Sequence, residues 1–361
     1  MAGQLREQQP ALASTSSSRQ RQTGSRTSLS DLRWRGAPVA VPWMVAALML
    51  VASVILYPSS IGFGGLATMT PLLGVLVIAS LGQSLVIGTS GIDLSVSSVI
   101  TVVGVVFVMQ SGAPGGSIPM AVVYSLLVGL ICGVVNGVLV EYVGLSPLVS
   151  TLATGQVMAG LANIWYGDGA NRLSVPTSWR RLTGDNFGGG ISYILLASVV
   201  LVLVTSVVLS YTAVGRRLTA ASTSARAGRY QGIAVRRYRA ATYVVAAMLY
   251  SIAGMLLVGS IGTPTLSLGD VYQLSTIVAV VLGGAALSGG RLHPAATLAG
   301  ALFLSFINQD VAASGVAVGT QGVIQGAVLV LAMLAASLGA FRGLRRRKLA
   351  KLAVLPPAAS T

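Results

Sequence analysis

Ten stretches of this chain are apolar enough to be read as helices within a lipid bilayer, and that succession leaves few other folds open. Seven run to about the 20 residues that a hydrocarbon core demands, at 37–57, 66–88, 118–140, 147–166, 191–213, 241–262 and 320–341. Three are shorter, at 94–109, 271–287 and 294–308. Only 9% of the residues are charged, against about 25% in soluble domains. The expected fold class is therefore all-α, a polytopic membrane helix bundle of about ten transmembrane helices with broken or re-entrant segments.

Charge orients the bundle. Residues 215–239, GRRLTAASTSARAGRYQGIAVRRYR, hold seven arginines and no acid. Six more arginines precede Gly36, and a third basic block runs from Arg342 to Lys351. An even number of spans places all three on one side, which the positive-inside rule makes cytoplasmic, with both termini there. Residues 1–36, rich in Ser, Gln and Arg, read as a disordered basic tail. The transmembrane domain is 37–341, with a cytoplasmic loop at 215–239 and a basic C-terminal tail at 342–361. The net charge of +15 falls at membrane boundaries rather than on one soluble face, which argues for anchoring and against nucleic acid.

The short spans point to a transport path, because Gly-interrupted, undersized segments mark broken helices lining one. Two flank SGGRLHP at 288–294 and the third follows TSGIDLS at 89–95. Gly91, Gly283, Gly284, Gly289 and Gly290 are the expected helix breaks, read as facing the interior; the alternative is a surface loop with glycine as C-cap. Gly129, Gly133 and Gly137 form a small-xxx-small ladder for close helix packing, a weak motif alone.

Chemistry of other kinds is missing. There is no phosphate loop, and Lys348 and Lys351 are the only lysines, so no ATP is held here by a Walker site. His293, beside Pro294, reads as a loop or helix-start residue, and Cys132 as helix packing, with no metal site at either. An enzyme is not expected. Of the eight acids, Asp93 and Asp270 each precede an apolar run. Capping is favoured for Asp270, whereas Asp93 reads as a cap or a path residue, or both. Gln83, Ser84, Asp93, Ser95, Ser288 and Asn308 are the candidate path lining, and Asn136 and Asn163 are expected to form interhelical hydrogen bonds.

Three landmarks then combine. Gly91-Ile92-Asp93-Leu94-Ser95, Gly144-Leu-Ser-Pro-Leu-Val-Ser-Thr-Leu152 and Val281-Leu-Gly-Gly-Ala-Ala-Leu-Ser-Gly-Gly-Arg291 resemble the membrane-spanning permease of the ribose, xylose, arabinose and autoinducer-2 class of bacterial ABC importers, in order over about 37–341. The resemblance implies a ten-span inner-membrane permease that works as a pair, two copies or this chain with a paralogue. It implies a soluble binding protein outside and an ATPase subunit inside that carries ATP and Mg. It also likens Thr219–Ile233 to the docking element for the ATPase, with Arg226, Ala227, Gly228, Arg229, Tyr230, Gln231, Gly232 and Ile233 at its core. This chain departs from the pattern at Arg226, where an acid is usual, at Gln231 in place of Ser, and at Tyr272-Gln273-Leu274-Ser275 in place of a Tyr-Glu-Leu-Asp segment. Same-class importers of nucleosides, branched-chain amino acids or an autoinducer, a stand-alone proton-coupled carrier, and a non-transporting membrane scaffold are the rival readings.

Overall fold

A helix that is apolar on every side has to be buried or lipid-bathed, and α3 (Phe63–Gly88) is buried from Met69 to its end, Leu72 excepted. The structure, a computed structural model, describes residues 29–315, with side chains from residue 39, and scattered helical positions between 320 and 334. It separates Met1–Gly36, of which only the opening of α1 is described, from Ala37–Thr361, which carries everything below. The tail ahead of residue 29, most of the expected span 320–341 and the tail 342–361 lie outside the described residues. α1 (Leu29–Leu56) begins inside the stretch expected to be tail.

The fold is an all-α bundle with no strand among the described residues. After α1 and the short α2 (Pro58–Ile61), α3 packs against α8 (Tyr193–Tyr211), α11 (Val235–Ile261), α12 (Asp270–Leu282) and α13 (Pro294–Ala313). A second buried helix, α4 (Val96–Gly112), lies against α5 (Ile118–Val138), α6 (Pro147–Gly167) and α11. α5 continues through a π turn, Leu139–Val143. Among the described residues six helices are long and apolar enough to cross a membrane: Val39–Leu56, Phe63–Gly88, Ile118–Val143, Tyr193–Tyr211, Val235–Ile261 and Pro294–Ala313.

The segment from Pro294, expected to be short, is a helix of 20 residues, so among the described residues α4 and α12 are the undersized apolar helices, at 17 and 13 residues. α6 has the length of a span at 21 residues but not the apolarity of the six. The connection 167–190 carries α7 (Thr177–Gly184), and the connection 215–239 is mostly helical, made of α9 (Ala213–Thr223), α10 (Ala225–Tyr230) and the start of α11. α9 and α10 start where Thr212 and Ser224 side chains accept the Gly215 and Ala227 N–H groups, ordinary N-caps.

The glycine ladder on α5 is a seam. A Cβ on Gly129 would collide with Ser251 Oγ, one on Gly133 would lie 2.6 Å from Val244 Cα, and one on Gly137 2.8 Å from the Ala240 carbonyl oxygen. All three neighbours are on α11. Small residues let the two backbones approach, the usual source of helix association where lipid supplies no hydrophobic drive.

Along α11 the depth of every other element can be read. Ile100 of α4 sits at Gly254, and Gly104 at Val258, so α4 runs parallel to α11 and toward its C-terminal end. Ser95 reaches Cys132 and Asn136, which the glycine seam places opposite the first half of α11. α4 therefore starts inside the bundle. α11 ends at Ile261, capped by Gly262, and the chain then turns back along α4: Leu268 lies against Gly104, the Gly269 N–H donates to Thr101 Oγ1 at 3.0 Å, and Asp270 receives Ser97 Oγ at 3.0 Å. α12 thus also starts at depth, and the two half-length helices begin beside one another.

Candidate functional site

Residues 89–95 form a closed polar knot. Asp93 and Ser95 are fully buried, and Asp93 Oδ1 accepts from the Ser95 N–H at 2.9 Å and Ser95 Oγ at 2.6 Å. Ser95 Oγ in turn accepts from Asn136 Nδ2 at 3.1 Å, Asn136 Oδ1 accepts from Thr154 Oγ1, and Thr151 Oγ1 accepts from the Leu94 N–H at 3.0 Å. The segment is thereby satisfied from α5 and α6, as backbone at membrane depth requires. Asp93 Oδ2 and the Tyr243 hydroxyl are buried without a hydrogen-bond partner among the described residues. A side chain on Gly91 would collide with that hydroxyl.

The second glycine-rich break packs against the first, at the arginine-rich end. Ser90 Oγ donates to the Ser288 carbonyl at 2.7 Å, and the Gly290 N–H to the Gly88 carbonyl at 3.0 Å. Gly289 holds a left-handed backbone, φ +85°, directly against Ser90, where a β-carbon would clash. Gly283 caps α12 against Ala296, and Gly284 follows it. The sequence SGGRLHP is thus a turn at the bundle's end, while GIDLS is the interior break. His293 stands at the start of α13, its pKa lowered by burial and by the nearby Arg291 charge.

Arg239 ties this region to α11 and α5. Its Nη2 donates to the Thr89 carbonyl at 2.6 Å, and its Nε lies 3.1 Å from Glu141 Oε1, the one ion pair among the described residues. The remaining arginines of the stretch are left facing outward. Arg226, Ala227, Arg229, Tyr230, Gln231 and Gly232 are exposed, Tyr230 to 81%, Ile233 is half-buried, and Gly228 is buried where a β-carbon would lie 3.0 Å from Val235 Cγ2. Two clefts of about 580 and 550 Å³ flank α10, lined in part by Arg229, Ile233, Arg237, Arg217 and Tyr142. This is an exposed basic surface whose one ion pair among the described residues is that of Arg239.

At the opposite end of α3 a cavity of about 270 Å³ lies between α3, α12 and α13, with Tyr272, Ser275, Ser305, Asn308 and Gln309 among its lining. The six expected path residues are accordingly not one lining. Asn308 borders this cavity, Asp93 and Ser95 are in the knot, and Ser288 is exposed at the arginine-rich end. Gln83 is buried and accepts from the Tyr250 hydroxyl at 2.9 Å, and Ser84 donates to its own helix at Leu81. Asn136 does bridge helices, but Asn163 is exposed and donates to Ala159 of its own helix. Asp270 accepts from Ser97 and makes no capping bond, against the expectation. The sequence reading also missed Thr151, Thr154, Tyr243, Tyr250 and Arg239; a Thr pair one turn apart after Ser-Pro was the only visible signal.

Comparisons with known proteins converge. The family model for the permease component of the branched-chain amino acid transport system matches residues 65–333. The chain is 35% identical to the probable ABC transporter permease protein y4mJ of Sinorhizobium fredii, over 77% of this chain and 82% of that protein. It is 32% identical to the autoinducer 2 import system permease protein LsrD of Salmonella typhi, covering 73% and 81% of the two chains. To the ribose import permease protein RbsC of Escherichia coli K12 it is 30% identical, covering 81% and 91%. No solved structure matches.

Proposed function

The chain belongs to the family of branched-chain amino acid transport system permease components, and on that premise we propose that it is the membrane-spanning subunit of an ABC importer for a sugar. Relatives named for ribose, fructose and autoinducer-2 import favour a sugar over an amino acid. It is a transport subunit, not an enzyme.

In this reading the arginine-rich end is cytoplasmic, both termini lie on that side, and the membrane is the bacterial inner membrane. A separate ATPase, carrying ATP and Mg, docks on α10 and the residues up to Ile233. An extracytoplasmic binding protein delivers the solute, and a second permease, copy or paralogue, completes the path among membrane lipid. Because Arg226, Arg229 and Arg237 form no ion pair among the described residues, the ATPase groove should present carboxylates.

The observation that carries this is the link from α10 to the interior break. α11 begins directly after the exposed element, and four residues on, Arg239 grips the carbonyl at the end of α3 and the carboxylate at the end of α5. A displacement of α10 moves the start of α11, and with it the frame that holds 89–95. A connection of this kind converts partner closure into a displacement within the bundle.

The test is co-purification of the ATPase with the permease, wild type against Tyr230→Ala and Arg229→Glu, from membranes expressing both. Gly232 is a poor site for it, since φ +72° strains any replacement. Wild type should retain the ATPase, and both variants should lose it while remaining folded in detergent. If wild type never retains it and uptake collapses on dissipating the proton gradient, a proton-coupled carrier replaces this reading.

A further inference from the structure

We propose that Asp270 borders the water-filled solute path near mid-membrane and gives that path a negative charge that admits neutral and cationic solutes and turns anions away. The inference rests on the importer reading for the existence of a path, and on this chain's geometry for its position.

Depth comes first. Asp270 Oδ1 receives Ser97 Oγ, and Ser97 precedes Ile100, which sits at Gly254 of α11. Ser97 therefore lies about ten residues, or about 15 Å, from the end of α11 at Ile261, and a similar distance from Arg239 at the other end. Within a hydrocarbon core about 30 Å thick that is close to the middle.

Exposure comes second. Asp270 is exposed on the surface of the chain, as are Thr265, Leu266, Ser267 and Val271, whereas Ser97 beneath it is buried. A carboxylate open to lipid at that depth is costly, and the aspartate side chain is too short to reach an interface as lysine or arginine does. One hydroxyl is its only side-chain partner, and no cation lies within ion-pair distance among the described residues.

A separate observation agrees. Residues 263–269 are not helical, and Thr265, Leu266 and Ser267, next to Asp270 in the chain, are likewise exposed. Irregular backbone at membrane depth is tolerated against protein or water, not against lipid. Exposed carboxylate and exposed irregular backbone together place water on this face. The polar Thr265, Ser267 and Asp270 then offer hydroxyl and carboxylate acceptors to a polyhydroxylated solute.

The test needs no identified substrate. In the assembled importer, on a Cys132→Ala background, Ser267→Cys is treated in right-side-out and inside-out vesicles with a cationic and an anionic methanethiosulfonate reagent; Val207→Cys on the exposed face of α8 is the lipid-facing control. Ser267→Cys should react from at least one side and Val207→Cys from neither. Relative to a free thiol, the cationic reagent should be favoured roughly tenfold. That preference should fall toward one with Asp270→Asn and persist with Asp270→Glu. No reaction from either side, which lipid or a sealed contact with a second copy would give, overturns the proposal. So does a preference that Asp270→Asn leaves unchanged. Co-purification of the ATPase is untouched by either result, so failure here is distinct from failure of the importer reading.

Discussion

Two segments of this bundle interrupt helices within the bundle, and they are built in opposite ways. Residues 89–95 are enclosed, with Asp93 and Ser95 fully buried and bonded through Asn136 and Thr154 to two other helices. Residues 263–269 satisfy their backbone largely by local turns and one bond to Thr101, and leave Thr265, Leu266, Ser267 and the adjoining Asp270 exposed. The same constraint on backbone in a bilayer has two solutions, protein or water. The first makes a structural joint. The second leaves a polar surface available to a passing solute.

The contrast breaks most severely if the support of the enclosed segment is removed. Gly133→Val would force α5 off α11 and carry Asn136 away from Ser95; the expected cost is about 3 kcal/mol, read as loss of the monodisperse peak on size-exclusion chromatography in detergent. Next, Asp93→Ala should cost about 2 kcal/mol, because it strips the Ser95 N–H and hydroxyl of a buried acceptor. Asp270→Ala should leave the thermal midpoint in detergent where it is. Equal shifts for the two aspartates would erase the distinction between joint and path. The smallest effect sharpens it: Asn136→Ala should lose about 1 kcal/mol, while Asn163→Ala, whose amide serves only its own helix, should leave the midpoint unchanged.

Much of this architecture was legible in the chain. Apolar length predicts the spans, the arginine stretch marks the end that carries α9 and α10, and GIDLS marks the interior break. The glycines at 129, 133 and 137 announce a close contact, though not its partner, since spacing gives a face and never what lies opposite. For the same reason Asn136 and Asn163 look alike as sequence, and only helical phase within the bundle separates a bridge from a surface amide. SGGRLHP was misread in depth because glycine and serine mark a bend equally well inside a membrane and at its edge. The re-entrant turn at 263–269 was missed outright. TPTLSLG after a glycine-capped helix reads as an ordinary surface loop, and nothing local says that the chain then runs back alongside α4. Asp270 reads as a cap on the same grounds, since its partner Ser97 is 173 residues away.

Arg239 has a consequence for how the protein is made. Its bond to the Thr89 carbonyl spans 150 residues, and the knot that encloses Asp93 also waits for Asn136 and Thr154. During synthesis at about 5–20 residues per second the tie to Arg239 is roughly eight to thirty seconds away when α3 emerges. The nascent chain must hold an unfinished polar segment among its first helices for that interval, sheltered by the insertion machinery or by a provisional neighbour. Biogenesis is therefore most vulnerable between the insertion of α4 and that of α11, and translation speed over that window becomes a determinant of yield.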